Sequence, residues 1–119
     1  MHILELIRKN KITTVDLGYA KFKLTITKYM PDPNAWGLTD TNTQTIHILD
    51  CMDNQQAREV IIHEITHAMF EVIGYTSEDP DKVMEDTNED MTIKVSRGLM
   101  MIMNLNPQLF KLLIESKDK

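Results

Sequence analysis

The feature that most constrains the fold of this 119-residue chain is the sequence His63-Glu64-Ile65-Thr66-His67, because it lies in a segment with strong helical signals. Asp53, followed by Gln56 three residues later, resembles a capping box at a helix start. Gly74 is a typical residue just after a helix end. We therefore expect one helix that runs to about Ile73. Two histidines four positions apart then project side by side from the same face of this helix.

The apolar residues of this predicted helix fall on one side of it when about 100° is taken per residue. The stripe contains Ala57, Ile61, Ile65, Ala68 and Val72, and Ile62, Met69 and Ile73 adjoin it. His63 and His67 lie on the opposite side, with Glu64 at the edge. The pattern predicts a widely buried helix that turns both histidines away from its main apolar stripe.

The motif has the H-E-x-x-H pattern, in which two helix histidines bind one zinc ion. Zinc suits such a site because two neutral imidazoles and one carboxylate leave a fourth position for water. A glutamate next to the first histidine lies beside the metal and can accept a proton from that water. We therefore expect one zinc ion per chain, bound by His63 and His67, with Glu64 as the catalytic base. The alternative is a pair of exposed or hydrogen-bonded helix histidines without a metal.

A third zinc ligand is expected from a second helix. Glu71 lies one turn beyond His67, but three ligands in a line along one helix do not fit tetrahedral zinc. Asp79-Pro80 is typical of a helix start, and the helix that follows is expected to run to about Asn104. It can fold back across Gly74 and bring a carboxylate to the histidines.

On this second helix, Glu85, Asp86 and Asp90 compete with Glu89 for the position. Asp86 and Asp90 fall on a charged face, whereas Glu85 and Glu89 flank an apolar stripe. The stripe contains Met84, Met91, Val95, Leu99 and Ile102. Geometry alone barely separates Glu85 from Glu89, because they are four residues apart.

The first half of the chain predicts strands. Residues 11–16 and 19–29 alternate between apolar and polar side chains on either side of a Leu17-Gly18 turn, which predicts a hairpin with one solvent-exposed face. Residues 31–37 are expected to form a loop. Thr43–Leu49 is a third strand, which we expect at the sheet edge, lining the zinc cleft and pairing with an extended substrate.

Strands followed by helices predict a single α+β domain over residues 1–119, with helices on one face of a small, mainly antiparallel sheet. Asn106-Pro107 begins a short last helix that is expected to end near Ser116. Residues 2–9 can form either a short helix or a strand.

Arg58–Gly74 (REVIIHEITHAMFEVIG) resembles the active-site helix of small gluzincins, zincins whose third zinc ligand is a downstream glutamate. Residues 36–40 and 44–48 look like the loop and edge strand of phage- and prophage-encoded metallopeptidase-like proteins, which are similar to the ImmA/IrrE group. Asn88-Glu89-Asp90 resembles their downstream segment, together with Gly98-Leu99 and Asn106-Pro107. The resemblance covers roughly residues 36–112.

This resemblance implies a minimal zincin fold, a zinc metallopeptidase activity and a peptide or protein substrate. It also implies that Glu89, 22 positions after His67, is the third metal ligand, with Glu85 at the rim. ImmA-like proteins often accompany a DNA-binding repressor, and this chain has no evident helix-turn-helix of its own. Two other hypotheses stay open: a zinc-binding zincin scaffold without turnover, and a small helical interaction protein without metal.

Composition and the absence of targeting signals limit the expected binding partners and the expected cellular compartment. A net charge of −5 argues against nucleic acid as a partner, because phosphate binding needs clustered Lys and Arg. The single cysteine, Cys51, excludes an intrachain disulfide. Glu5 interrupts the N-terminal apolar run, so it does not resemble a signal peptide. No run is long enough to span a membrane. We expect a cytoplasmic monomer that binds neither nucleic acid nor membrane.

Two further residues are weaker candidates for the site. His47 lies on the third strand, where it could assist the substrate or the transition state. Tyr75 lies just past the motif helix and could donate to an oxyanion. An ordinary strand histidine and a packed tyrosine are the simpler interpretations of these two residues.

Overall fold

The computed structural model describes residues 1–74 and 88–117, which form four helices and four strands. Tyr75, the Asp79-Pro80 start and the acidic pair Glu85 and Asp86 lie outside the described residues. In chain order the elements are α1 (Ile3–Lys9), β1 (Thr14–Asp16), β2 (Lys21–Thr27), β3 (Gly37–Asp40), β4 (Thr45–Leu49), α2 (Asn54–Ile73), α3 (Asn88–Leu105) and α4 (Pro107–Glu115).

The strands form one mixed sheet with the order β1-β2-β4-β3. Strands β1 and β2 form the predicted antiparallel hairpin, with Val15 opposite Phe22. Strand β2 pairs in parallel with β4, and β4 pairs antiparallel with β3. The fold is therefore α+β as predicted, and two of the three strand pairings are antiparallel.

The expectation that Thr43–Leu49 forms a sheet edge is wrong. The strand begins at Thr45 and lies between two neighbours, with His47 opposite Thr25 of β2 on one side and Leu38 of β3 on the other. The outer strand here is β3. From the sequence, Gly37 was expected to end a loop, and no structure was expected for residues 38–40. Four residues that start with glycine and end with aspartate carry little strand signal of their own. Their pairing with β4 makes them a strand.

The turn between β3 and β4 is held by the carboxylate of Asp40. It accepts hydrogen bonds from the backbone N–H groups of Asn42 at 3.0 Å and Thr43 at 3.2 Å. The hydrogen bond from the Thr43 backbone is the largest cause that lowers the pKa of Asp40 below its ordinary value. Gln44 completes the turn with a positive φ of 52°.

One face of the sheet is buried and the other is exposed, as the alternation predicts. Phe22, Leu24, Ile46 and Ile48 point into the core, whereas the intervening β2 residues remain exposed. The helices supply the rest of this core. Their buried apolar residues are Ile3, Leu4, Ile7, Ala57, Ile61, Ile65, Ala68, Met69, Ile102, Leu109, Leu112 and Leu113. The motif helix α2 contacts both β3 and β4 on the buried side.

Helix α2 has the predicted ends. The Asp53 side chain accepts a hydrogen bond from the Gln56 backbone N–H at 2.8 Å. Gly74 adopts a left-handed conformation with φ 88°, and its N–H donates to the carbonyl of Phe70. The structure also settles the first segment as a helix, because His2 caps α1 by accepting a hydrogen bond from the Leu4 N–H.

The predicted apolar stripe of helix α3 is only partly buried. Ile102 lies in the core, whereas Met91 and Leu99 are 37% and 45% exposed. The close approach to α2 occurs instead at Gly98, where a Cβ atom would lie 2.8 Å from the sulfur of Met69. Helix α3 therefore packs on α2 through a glycine rather than through a continuous apolar ridge.

Asn106 does not cap α4 with its side chain, although Pro107 occupies the first turn as predicted. Its amide instead pairs with the main chain of Asp16, accepting from the N–H at 2.7 Å and donating to the carbonyl at 2.8 Å. It also lies 2.9 Å from the carbonyl of Ile102. This residue therefore joins strand β1 to the junction of α3 and α4.

A membrane-spanning helix requires both length and apolarity, and no helix within residues 1–74 and 88–117 combines the two to that degree.

Candidate metal centre

The two motif histidines lie side by side on helix α2, as their spacing predicts. Nε2 of His63 and Nε2 of His67 are 3.0 Å apart, and the ring planes are inclined at 82°. Both side chains are exposed to solvent. Two nitrogen ligands on tetrahedral zinc, each about 2.05 Å from the metal, are separated by about 3.3 Å. The observed separation is close to this value, so the two imidazoles could hold one ion between them.

Glu64 is the buried member of the cluster, with only 6% of its surface exposed. Its Oε2 lies 4.0 Å from Nε2 of His63. One potential ligand atom from each of Glu64, His63 and His67 lies within 4.8 Å of the others, so the group could hold a metal ion. Burial of a carboxylate costs free energy unless hydrogen bonds or an opposite charge compensate it. The buried carboxylate of Glu64 therefore needs a polar partner.

Strand β3 supplies the partner of this carboxylate. The hydroxyl of Thr39 lies 2.8 Å from Oε1 of Glu64 and 2.9 Å from the Glu64 backbone carbonyl. Within residues 1–74 and 88–117, no donor forms a hydrogen bond with Oε2. Oε1 is thus held by a hydrogen bond from the sheet, and Oε2 faces His63.

Gly37 allows β3 to approach the helix this closely. A Cβ atom at this position would lie 2.7 Å from Cγ1 of Val60, 2.8 Å from Cγ of Glu64 and 3.0 Å from Oε2 of Glu64. Cβ atoms in proteins essentially never approach other atoms this closely. The backbone of β3 therefore lies directly against the side chain of Glu64, and any residue larger than glycine would displace one of them.

Glu89, the predicted third ligand, lies in the first turn of α3 and is exposed. In the described part of the chain, the cluster of potential metal ligands contains His63, Glu64 and His67 and does not include Glu89. Glu71 is half-buried on α2 and does not belong to the cluster either. The assignment of Glu89 as the third ligand stays a prediction.

Two grooves meet at His63. We name the first the Trp36 groove; it has a volume of about 440 Å³ and is lined by Trp36, Gly37, Gln56, Glu59, Val60, His63 and Glu64. We name the second the Phe70 groove; it has a volume of about 570 Å³ and is lined by Gln55, Arg58, Glu59, Ile62, His63, Thr66, His67 and Phe70. Glu59 and His63 line both grooves.

The remaining candidates lie elsewhere or outside the described residues. His47 alternates with the buried Ile46 and Ile48 on β4, so its side chain points to the opposite face of the sheet from α2. Tyr75 is not among the described residues. Cys51 is exposed.

The sequence analysis gave no role to Thr39 or Gly37, although both lie in the segment that carries the family resemblance. Neither residue type signals a site by itself, because threonine is common in strands and glycine is common in turns. Their contacts with Glu64 arise only when β3 packs across α2.

A comparison of the chain with protein-family models, with curated proteins and with solved structures finds no match. The geometry around Glu64 therefore carries the functional argument.

Proposed function

We propose that this protein is a zinc-dependent metallopeptidase with a minimal zincin fold, in which His63 and His67 bind the metal and Glu64 is the general base. The observation that supports it best is the environment of Glu64. A buried carboxylate is fixed by Thr39 through one oxygen, while its other oxygen lies 4.0 Å from Nε2 of His63. A helix that serves only packing has no need of this arrangement.

The donor set fits zinc. Two imidazole nitrogens 3.0 Å apart match a borderline metal that prefers nitrogen ligands in tetrahedral geometry. A carboxylate from Glu89 would complete the set that the gluzincin resemblance implies. Zinc, when bound, supplies Lewis acidity that polarises the scissile carbonyl and makes a water molecule more acidic.

The residues of the chain then have separate tasks. Glu64 accepts a proton from the attacking water and transfers it to the amine that leaves as the peptide bond breaks. The Thr39 hydroxyl holds the carboxylate of Glu64 in place during both transfers. The packing of β3 against α2 keeps bulk water from this side of the carboxylate.

The outer strand β3 replaces β4 as the expected binding edge for substrate. It is the last strand of the described sheet on the side next to α2, and Gly37 at its start lies against Glu64. An extended peptide can add to such an edge through main-chain hydrogen bonds. This places a peptide bond beside the base and the two histidines.

The proposal is tested by zinc content and turnover in the same preparations. Protein purified without a metal-binding tag is expected to contain about one zinc per chain by elemental analysis. His63→Ala combined with His67→Ala is expected to remove it, whereas the control His47→Ala retains it. Zinc that persists in the double variant at the wild-type level contradicts the site.

Turnover is measured on a random peptide library by mass spectrometry. Glu64→Gln is expected to retain zinc and fold but to lose about a hundredfold or more in rate, as for the removal of a positioned base. The matched control on the same helix is Glu71→Gln, which is expected to retain both properties. Zinc binding without cleavage of any peptide by the wild type would identify the chain as a silent zinc-binding scaffold instead.

A further inference from the structure

The Trp36 groove has a distinct chemical character. Trp36 is 52% exposed although it lines a groove, so a large aromatic surface is left to solvent. Val60 adds an apolar surface, and Glu59 contributes an exposed carboxylate. Among the residues that line this groove there is no lysine or arginine.

The Phe70 groove on the other side of His63 differs in its charge. It contains Arg58, whose Nε donates to the carbonyl of Leu113 at 3.2 Å and whose Nη1 donates to Oε1 of Gln55 at 2.8 Å. These two hydrogen bonds fix a positive charge in the Phe70 groove. Glu59 lines both grooves, but in the Phe70 groove Arg58 offsets its charge, so a cationic ligand group is favoured in the Trp36 groove.

We propose that the Trp36 groove is the specificity subsite for an arginine or lysine side chain of the substrate. The inference rests on the proposed function, because it names the substrate class of the same site. The long apolar stem of such a side chain covers Val60, and its charged end contacts the Trp36 ring and the Glu59 carboxylate. Arginine fits best, because its planar guanidinium both stacks on indole and pairs with a carboxylate.

Glu59 is able to accept this partner. Its one hydrogen bond within the described residues comes from the Gln55 side-chain amide, 3.2 Å from Oε1. Its other oxygen and the remaining lone pairs are therefore available. Glu59 also lies one turn before His63 on α2, so a side chain that reaches it belongs to a substrate residue close to the scissile bond.

The test compares two fluorescein-labelled alanine-rich peptides that differ only in one central residue, arginine or citrulline. Citrulline has nearly the same shape as arginine but no charge. Affinities are measured by fluorescence anisotropy with zinc-loaded, full-length Glu64→Gln protein, so that neither peptide is consumed. Initial cleavage rates of the same peptides are measured with the wild type.

The arginine peptide is expected to bind about fivefold more tightly, the size expected of a partly exposed ion pair together with a cation–π contact. Adding Glu59→Gln is expected to reduce the ratio of the two affinities to about twofold. Adding Trp36→Leu as well is expected to make the two affinities equal. The control Glu5→Gln removes an exposed carboxylate from α1, outside both grooves, and is expected to leave the ratio unchanged.

Equal affinities, including the absence of measurable binding of either peptide, overturn the subsite. A preference for arginine that keeps its wild-type size in Glu59→Gln also overturns it. So does tighter binding of a third peptide, with leucine at the central position, than of the arginine peptide. Arginine-selective binding without cleavage supports the subsite and contradicts the metallopeptidase. Cleavage without arginine selectivity supports the metallopeptidase and overturns the subsite.

Discussion

The hydroxyl of Thr39 lies 2.8 Å from Oε1 of Glu64 and 2.9 Å from the backbone carbonyl of the same residue, so one side chain of β3 contacts both ends of Glu64. A hydroxyl has one proton, so it can fully satisfy only one of these oxygens at a time. The carboxylate accepts the stronger hydrogen bond because it carries the charge. Strand β3 thus orients the proposed base.

We therefore expect Thr39→Val to lower kcat by about tenfold or more, because a hydrogen bond to a charged group is lost. Zinc content and KM are expected to change little. The conservative variant Thr39→Ser keeps the hydroxyl and is expected to retain most of the activity. A Thr39→Val enzyme with wild-type kcat would show that the contact does not orient the base.

Gly37→Ala is expected to lower the free energy of unfolding by about 1–3 kcal/mol, the usual cost of overpacking. The added methyl group would collide with Val60 at 2.7 Å and with Glu64 at 2.8 Å. Adding Val60→Ala removes one of these collisions and is expected to restore part of the loss. The measurement is urea denaturation monitored by circular dichroism.

Gly98→Ala is the matched control for this variant. Its methyl group would meet mainly the flexible Met69 side chain, and alanine favours a helix interior over glycine by about 1 kcal/mol. We therefore expect a smaller cost than at Gly37. A larger loss of stability in Gly98→Ala than in Gly37→Ala would contradict this account of the β3 contact.

Asn106→Ala is expected to lower the free energy of unfolding by about 2 kcal/mol, because it leaves the partly buried main-chain groups of Asp16 without their partner. Asn106→Asp is expected to cost more, since a carboxylate would replace the amide that donates to the carbonyls of Asp16 and Ile102. Thermal denaturation compares both with the exposed control Asn104→Ala. Equal stability of all three variants would exclude this joining role.

Glu89→Ala is expected to weaken zinc binding severely and Glu85→Ala mildly, if the gluzincin resemblance assigns the third ligand correctly. Glu89 lies in the first turn of α3, whereas Glu85 lies outside the described residues. Competition with a chromogenic zinc chelator gives the two affinities. The reverse order would exclude Glu89 and favour Glu85.

The sequence by itself determined the local structure around the motif. The ends of α2 follow from Asp53 and Gly74, whose side chain and backbone act within a few residues of their own positions. The side-by-side histidines follow from a spacing of four on a helix. The hairpin of β1 and β2 follows from its alternation and its turn. In each case the deciding interactions join residues close in sequence.

The tertiary structure alone decided which strand borders the site and what contacts Glu64. β3 is a strand only because it pairs with β4, and this pairing moves β4 from the sheet edge to the interior. Thr39 and Gly37 gain their roles only where β3 lies against α2. Thr39 and Glu64, for example, are 25 residues apart in the sequence. Such contacts depend on how distant elements pack, which neither helical periodicity nor strand alternation encodes.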